Sequence, residues 1–404
     1  MIDLRHIPSL SDSLTSELMA LWPKMMAGQA KAFVGLADDN ENWEAINNRL
    51  DQCRGVERAL VVGIGGSSLG TQVIYEAFRA SSAARLFFLE AVDPYKWDTL
   101  RIQRPEWRDS HVVIVSKTGS TLETLSWVEK LANLDTDWLN PQNCTIIASP
   151  TEGPLQQFAQ KNSIPCLWLP NEVGGRFSVL SAVGMYPAGL MGLSCHEFRE
   201  GARWAVDRQD LVVSLAASAI AAWKRQEWIT QLWVYSEALR TFGQWWQQLW
   251  SESLGKRLTR DGSTAPRVST PMPCMGPRDQ HSLLQQLIEG HRDKQVILTR
   301  ILSVDHADEP FPARMFPSLP FSGRSISLGQ VLGAEARAFE KSLVDSKIPY
   351  SAMQIEKISE ASLGGLFMVW QLTIALLGEY LNIDAFNQPG VELGKRHVEK
   401  ILRE

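Results

Sequence analysis

Two short strings rich in glycine and hydroxyl groups are the first places along the 404 residues where chemistry could be carried. Gly63-Ile64-Gly65-Gly66-Ser67-Ser68-Leu69-Gly70 closes the apolar run Ala59 to Ile64 and leads into a helix-like stretch. Ser116-Lys117-Thr118-Gly119-Ser120-Thr121 follows a second apolar run, Val112 to Val115, and opens another. Glycine leaves backbone amides uncovered, and the start of a helix favours negative charge, so such turns can cradle an anion. Hydroxyls and Lys117 suit the second cradle to a phosphate monoester. Two such loops in one sheet suggest a single phosphate site.

Each string has a plainer explanation as well. The first is neither a dinucleotide fingerprint, since Ser68 stands where the third glycine belongs, nor a Walker A loop, since no lysine follows Gly70. Glu90, ending the next apolar run, keeps a nicotinamide reading open, and a tight strand-to-helix turn is the other alternative. The second string also reads as a capping box, with Ser120 or Thr121 backed by Glu123 or Thr124.

A carboxylate suited to proton transfer is Glu252, four residues after Gln248 and so on the same helical face, among Trp245, Trp246 and Trp250. Bulky aromatics beside a carboxyl raise its basicity toward the range of a general base; a solvated surface glutamate is the alternative. Arg176 in Gly-Gly-Arg-Phe-Ser, His281 in Asp-Gln-His-Ser and Lys395 in Leu-Gly-Lys each read as structural or surface residues when taken alone.

The elements that position these residues follow a clear rhythm. Apolar runs at 59–64, 86–89, 112–115 and 145–148 alternate with helical stretches such as 121–134, the pattern of a parallel sheet covered on both faces. A second set of runs at 232–235, 296–298 and 350–353 is interleaved with helical patterning at 210–224, 237–250, 328–343 and 361–381. The fold expected is therefore α/β, two doubly wound parallel-sheet domains at 51–200 and 201–385. An N-terminal helical arm occupies 1–50, with Ser11 or Ser13 as cap, and a C-terminal tail helix follows a Pro389-Gly390 turn in 386–404.

Composition narrows the field. A net charge of -5 leaves no basic face for nucleic acid, and 45% apolar residues suffice for sizeable cores. Five cysteines, odd in number and without a CxxC pair, argue against a disulfide framework or a zinc site and fit a reducing cytoplasm. The start lacks the pattern of a signal peptide, and the apolar run Leu363 to Leu377, interrupted by Gln371 and Thr373, reads as a buried helix rather than a membrane span.

Taken together, the strings GIGGSSLG (63–70), SKTGSTLET (116–124), GGRFSVLSAVGMYPAGL (174–190), QLWSESLGK (248–256), DQHS (279–282) and QPGVELGK (388–395) resemble the glucose-6-phosphate isomerase family, bacterial type, in its order. Gly119 stands where many members carry an aromatic residue. The resemblance implies two sugar-isomerase-type domains and a homodimer with shared active sites, which interconverts glucose 6-phosphate and fructose 6-phosphate through ring opening and a cis-enediol. It implies no metal or organic cofactor and no nucleic-acid or membrane partner. By motif, Gly66, Ser67, Ser116, Thr118 and Thr121 bind the sugar phosphate with Lys117 nearby, and Gln248 and Gln388 contact the substrate. Glu252 moves the proton between C1 and C2, Arg176 stabilises the enediolate, and His281 of the partner subunit opens the ring with Lys395. A bifunctional enzyme that also takes mannose 6-phosphate and a non-catalytic sugar-phosphate-binding protein are the alternatives.

Overall fold

Strands that are apolar on both faces need cover on both faces, and the chain supplies it twice. In the computed structural model, which describes residues 1–6, 10–103, 109–134, 138–303 and 308–404, twelve strands form two five-stranded sheets and one short hairpin. They are β1 (Ile2–His6), β2 (Arg58–Val62), β3 (Arg85–Leu89), β4 (His111–Val115), β5 (Cys144–Ala148), β6 (Cys166–Trp168), β7 (Ile229–Tyr235), β8 (Thr270–Met275), β9 (Lys294–Ile301), β10 (Phe311–Pro312), β11 (Ser325–Ile326) and β12 (Tyr350–Ile355). The first sheet runs β3-β2-β4-β5-β6, all parallel; the second runs β1-β12-β9-β7-β8, parallel except for β1.

Strand alternation divides the core. Ala59, Val61, Val113, Val115 and Ile147 face a large central cluster, which also takes Leu232, Val234, Ile297 and Met353 from the second sheet. Their neighbours Leu60, Val62, Val112, Ile114 and Ile146 face a separate outer cluster, and Trp233, Tyr235, Val296 and Leu298 face a third. Both sheets thus share one inner core, through which runs the helix Glu360–Tyr380. That helix is long and apolar enough to cross a membrane, yet its apolar stretch is 94% buried within the protein, the place expected for Leu363 to Leu377.

Among the parallel strands of each sheet the chain passes from the first, β2 or β7, to one neighbour and then crosses to the other side. The order reverses between β2 and β4 in the first sheet and between β7 and β9 in the second. Loops leaving the carboxyl ends of strands at such a reversal splay apart and leave a crevice for a ligand. The two hydroxyl-rich strings are the loops after β2 and β4.

Two departures from the expected elements have physical reasons. The first residues are not part of a helical arm: Ile2–His6 is an edge strand paired antiparallel with β12, and Ile2 is buried. Two alternating apolar positions are too weak a signal before the stronger helical period that starts at Ser11. Ser11 does cap the helix Asp12–Ala27, its Oγ accepting from the Leu14 amide at 3.2 Å. Strand β8, Thr-Pro-Met-Pro-Cys-Met, is concealed by two prolines, which an edge position tolerates because one side of the strand needs no ladder bonds.

Opposite the crevice, at the amino ends of β4 and β5, a buried polar network ties the N-terminal segment to the first sheet. Tyr186 Oη lies 3.0 Å from His111 Nε2, 3.0 Å from Thr145 Oγ1 and 3.2 Å from Cys53 Sγ. Arg49 donates to Thr145 Oγ1 at 2.9 Å and to the Pro141 and Cys144 carbonyls. Burial, helped by Arg49, lowers the His111 pKa from 6.5 to about 4, so its imidazole is neutral in the folded protein.

Candidate active site

The crevice is assembled from backbone approaches that only glycine permits. A β-carbon on Gly66 would stand 2.3 Å from the carbonyl carbon of Gly175, so the first loop and the turn carrying Arg176 touch main chain to main chain. Gly119, at φ +68°, lies against the Gln156 amide, which fills the space an aromatic side chain at 119 would need.

In the second loop the hydroxyls meet one another rather than forming the capping box. Ser116 Oγ and Thr121 Oγ1 are 2.8 Å apart, and Thr118 Oγ1 accepts from Ser120 Oγ at 2.9 Å. Thr121 occupies the N-cap position of the helix Leu122–Ala132, but its side chain makes no capping bond. Beside them Lys117 is half-buried; burial and Arg176 lower its pKa from the ordinary lysine value, with Glu172 acting against them. In the first loop Ser67 lies in a single 3₁₀ turn ahead of the helix Leu69–Phe78.

Arg176 is the hub of the site. Its side chain is 1% exposed, and its guanidinium donates to Ser253 Oγ (2.7 Å), Glu252 Oε2 (3.1 Å), Gln388 Oε1 (3.0 Å) and the carbonyls of Ala385 (2.6 Å) and Asn387 (3.0 Å). Burial pulls its pKa down and Glu252 opposes that shift; an arginine stays charged through the physiological range regardless.

Glu252 lies in the last turn of the helix Arg240–Leu254 with about a third of its side chain exposed. Its second oxygen accepts from Gln248 Nε2 at 2.9 Å, the one-turn relation expected from their spacing. The tryptophans expected beside the carboxylate turn away: Trp245, Trp246 and Trp250 are packed in the central core, and the carboxylate meets Arg176 and Gln248 instead. Gln248 Oε1 is buried with no hydrogen-bond partner among the described residues, and the amide lies against Gly65.

Glu252, Lys256, Asp384, Asn387 and Gln388 line a cleft of about 940 Å³ beside this hub. Within the single chain the cluster therefore joins the Gly66 loop, Arg176, Gln248, Glu252 and Gln388. It does not include His281 or Lys395. His281 is exposed after the short helix Gly276–Gln280, at the carboxyl end of β8, with no side-chain hydrogen bond among the described residues. Lys395, on the helix Glu392–Arg403, is paired with Glu392 at 2.9 Å.

Sequence reasoning did not single out Ser253, Lys256 or the carbonyls of Ala385 and Asn387. The two side chains sit inside the Gln248-to-Lys256 string, next to Glu252, and that adjacency was the available signal. The main-chain acceptors carry none.

Doubly wound sheets with ligand loops gathered at a strand-order reversal define an α/β protein built to hold a small molecule there. The sequence model of the phosphoglucose isomerase family matches residues 47–404. The probable glucose-6-phosphate isomerase of Haloquadratum walsbyi is 34% identical over 353 residues, covering 85% of this chain and 79% of its own. The glucose-6-phosphate isomerase of Thermus thermophilus is 33% identical over 390 residues, 93% of this chain and 91% of its own. The crystal structure of a hypothetical protein from Thermus thermophilus matches over the full length of both chains with a TM-score of 0.88 and 31% identity. The chain belongs to the phosphoglucose isomerase family.

Proposed function

We propose that the protein is an aldose–ketose isomerase that interconverts glucose 6-phosphate and fructose 6-phosphate, with its active site at the β2/β4 crevice. The observation that carries this reading is the buried Arg176 set against the Glu252 carboxylate within the phosphoglucose isomerase fold. A proton alpha to a carbonyl is a poor acid. A carboxylate removes it only where a fixed cation stabilises the enediolate that forms.

In this reading Gly66, Ser67, Ser116, Thr118 and Thr121 hold the phosphate, helped by Lys117, with two helix starts behind them. Gln248, which also donates to the Glu252 carboxylate, contacts the substrate, and Gln388 offers its amide to the sugar hydroxyls. Glu252 takes the proton from C2 and returns it to C1 through a cis-enediol, while Arg176 faces the negative oxygen. Ring opening moves a proton between O1 and the ring oxygen, work suited to the imidazole of His281 of the partner subunit together with Lys395.

A homodimer supplies what one chain lacks. The helix Glu392–Arg403 and its N-cap residue Val391 leave Val391, Leu393, Val398, Ile401 and Leu402 between 43 and 68% exposed, an apolar stripe that a second copy would cover. We also propose the division into sugar-isomerase-type units at 51–200 and 201–385, with the first 50 residues bridging them and 386–404 as the dimer tail. A cytoplasmic location accords with the substrate. A coupled assay with fructose 6-phosphate, run beside mannose 6-phosphate, tests the function. Turnover of the first with little of the second is expected, and no turnover of fructose 6-phosphate would refute it.

A further inference from the structure

Lys256 lies just past the end of the helix that carries Glu252 and takes no part in the proton transfers described above. Its Nζ donates to the main-chain carbonyl of Glu252 at 2.6 Å and to the carbonyl of Asn387. The same Asn387 carbonyl accepts from Arg176, whose other branch holds the Glu252 carboxylate and Gln388. The contacts therefore close a ring: Glu252 side chain to Arg176, Arg176 to Asn387, Asn387 to Lys256, and Lys256 back to the Glu252 main chain. Two cations on one carbonyl oxygen is a costly arrangement in a half-buried place, and it persists only where the surroundings oppose the repulsion.

We infer that Lys256 is a positioning residue: its ammonium ties the Asn387–Gln388 turn to the end of the Glu252 helix, and so fixes the side of the cleft that presents Gln388 to the substrate. This rests on the isomerase reading for its consequence in catalysis, but not for the clamp itself.

The charged groups acting on Lys256 are Arg176 on the neighbouring turn, Glu252 on the helix that ends just before it, and Asp384 after the helix Glu360–Tyr380, while Arg257 and Arg260 line the same cleft. Burial and then Arg176 lower the Lys256 pKa from 10.5 to about 8, with Asp384 and Glu252 opposing. Lys256 in the folded protein therefore loses its proton well below the pH at which an ordinary lysine does, and above pH 8 the clamp weakens. An amine keeps two N–H groups, but they are no longer charge-assisted donors.

Two readouts separate this inference from the isomerase reading. The first is amide hydrogen exchange over residues 385–391 in the free protein, corrected for intrinsic rates. Lys256→Met should raise it at pH 7 while the β2 and β4 amides stay protected, and in the wild type it should rise between pH 7 and 9. The second is the KM for fructose 6-phosphate. At pH 7 it should be raised roughly tenfold in Lys256→Met with a smaller change in kcat, and recover in Lys256→Arg. Exchange over 385–391 in Lys256→Met equal to the wild type overturns the clamp, as does a KM in that variant equal to the wild type's. A wild type whose exchange behaves as expected but which isomerises nothing leaves the clamp standing and removes the isomerase reading alone.

Discussion

At the scale of single residues, the proposed site assigns binding and proton transfer to different side chains. Ser116 and Thr121 pair with each other across the mouth of the second loop, so each offers a hydroxyl already held in place. Replacing Thr121 by Ala removes one donor to a dianion, which should raise KM with little change in kcat. A charge-assisted bond of about 1.5–3 kcal/mol corresponds to roughly ten- to a hundredfold in kcat/KM. Steady-state kinetics decides it, and an unchanged KM would place the phosphate elsewhere. Glu252→Gln keeps the shape and the contact to Gln248 but removes basicity. The isomerase rate should drop by roughly 10² to 10⁴, and exchange of the C2 proton with solvent should drop with it, while substrate still binds. Near-normal turnover in that variant would exclude Glu252 as the proton carrier.

At the scale of elements, the crevice depends on the main-chain contact between the Gly66 loop and the Gly175 turn. Gly66→Ala forces a carbon to within 2.3 Å of a backbone atom, so one of the two segments must move. A loss of about 1–3 kcal/mol in unfolding free energy is expected, with a raised KM, because Arg176 rides on the turn that shifts. Denaturant unfolding of the variant measures the first, and unchanged stability would show that the approach is looser than the structure has it.

The polar network at the other end of the sheet predicts a pH effect on the same elements. His111 has a folded pKa lowered to about 4, so the unfolded chain binds more protons between that value and 6.5. This group's contribution is complete above pH 6.5 and is lost as pH falls toward 4. His111→Gln removes the titration, and the slope of stability against pH across that window should flatten by up to one proton. An unchanged slope would assign the acid limb to other groups.

What the sequence disclosed at this scale is what short-range rules encode. The two loops, the alternation of strands with helices and the Gln248–Glu252 pair all rest on spacings of a few residues. Strand β1 escaped because its partner β12 lies at the other end of the chain, and β8 because Pro271 and Pro273 hide an edge strand. Arg176 could be placed by its motif, yet its five partners come from the Glu252–Ser253 helix end and from the 385–388 turn. Three of those five are side chains, and two are main-chain oxygens that leave no mark on residue type.

At the scale of the whole molecule, one chain gathers Arg176, Glu252, Gln248 and Gln388 but leaves His281 exposed and Lys395 on an exposed helix. In the proposed homodimer each site is complete only in the assembly, so dilution below the dimer dissociation constant should lower specific activity. Subunit mixing tests the shared isomerase site most directly. Glu252→Gln and His281→Ala are each expected to be nearly inactive as homodimers. Where the two residues of one site come from different chains, a heterodimer holds one site with both lesions and one with neither. Mixing the variants and allowing exchange should then restore about half of a wild-type dimer's fructose 6-phosphate isomerisation per heterodimer. A mixture that exchanges subunits and stays inactive would mean that every site keeps a lesion, and would contradict a site completed by the partner's His281.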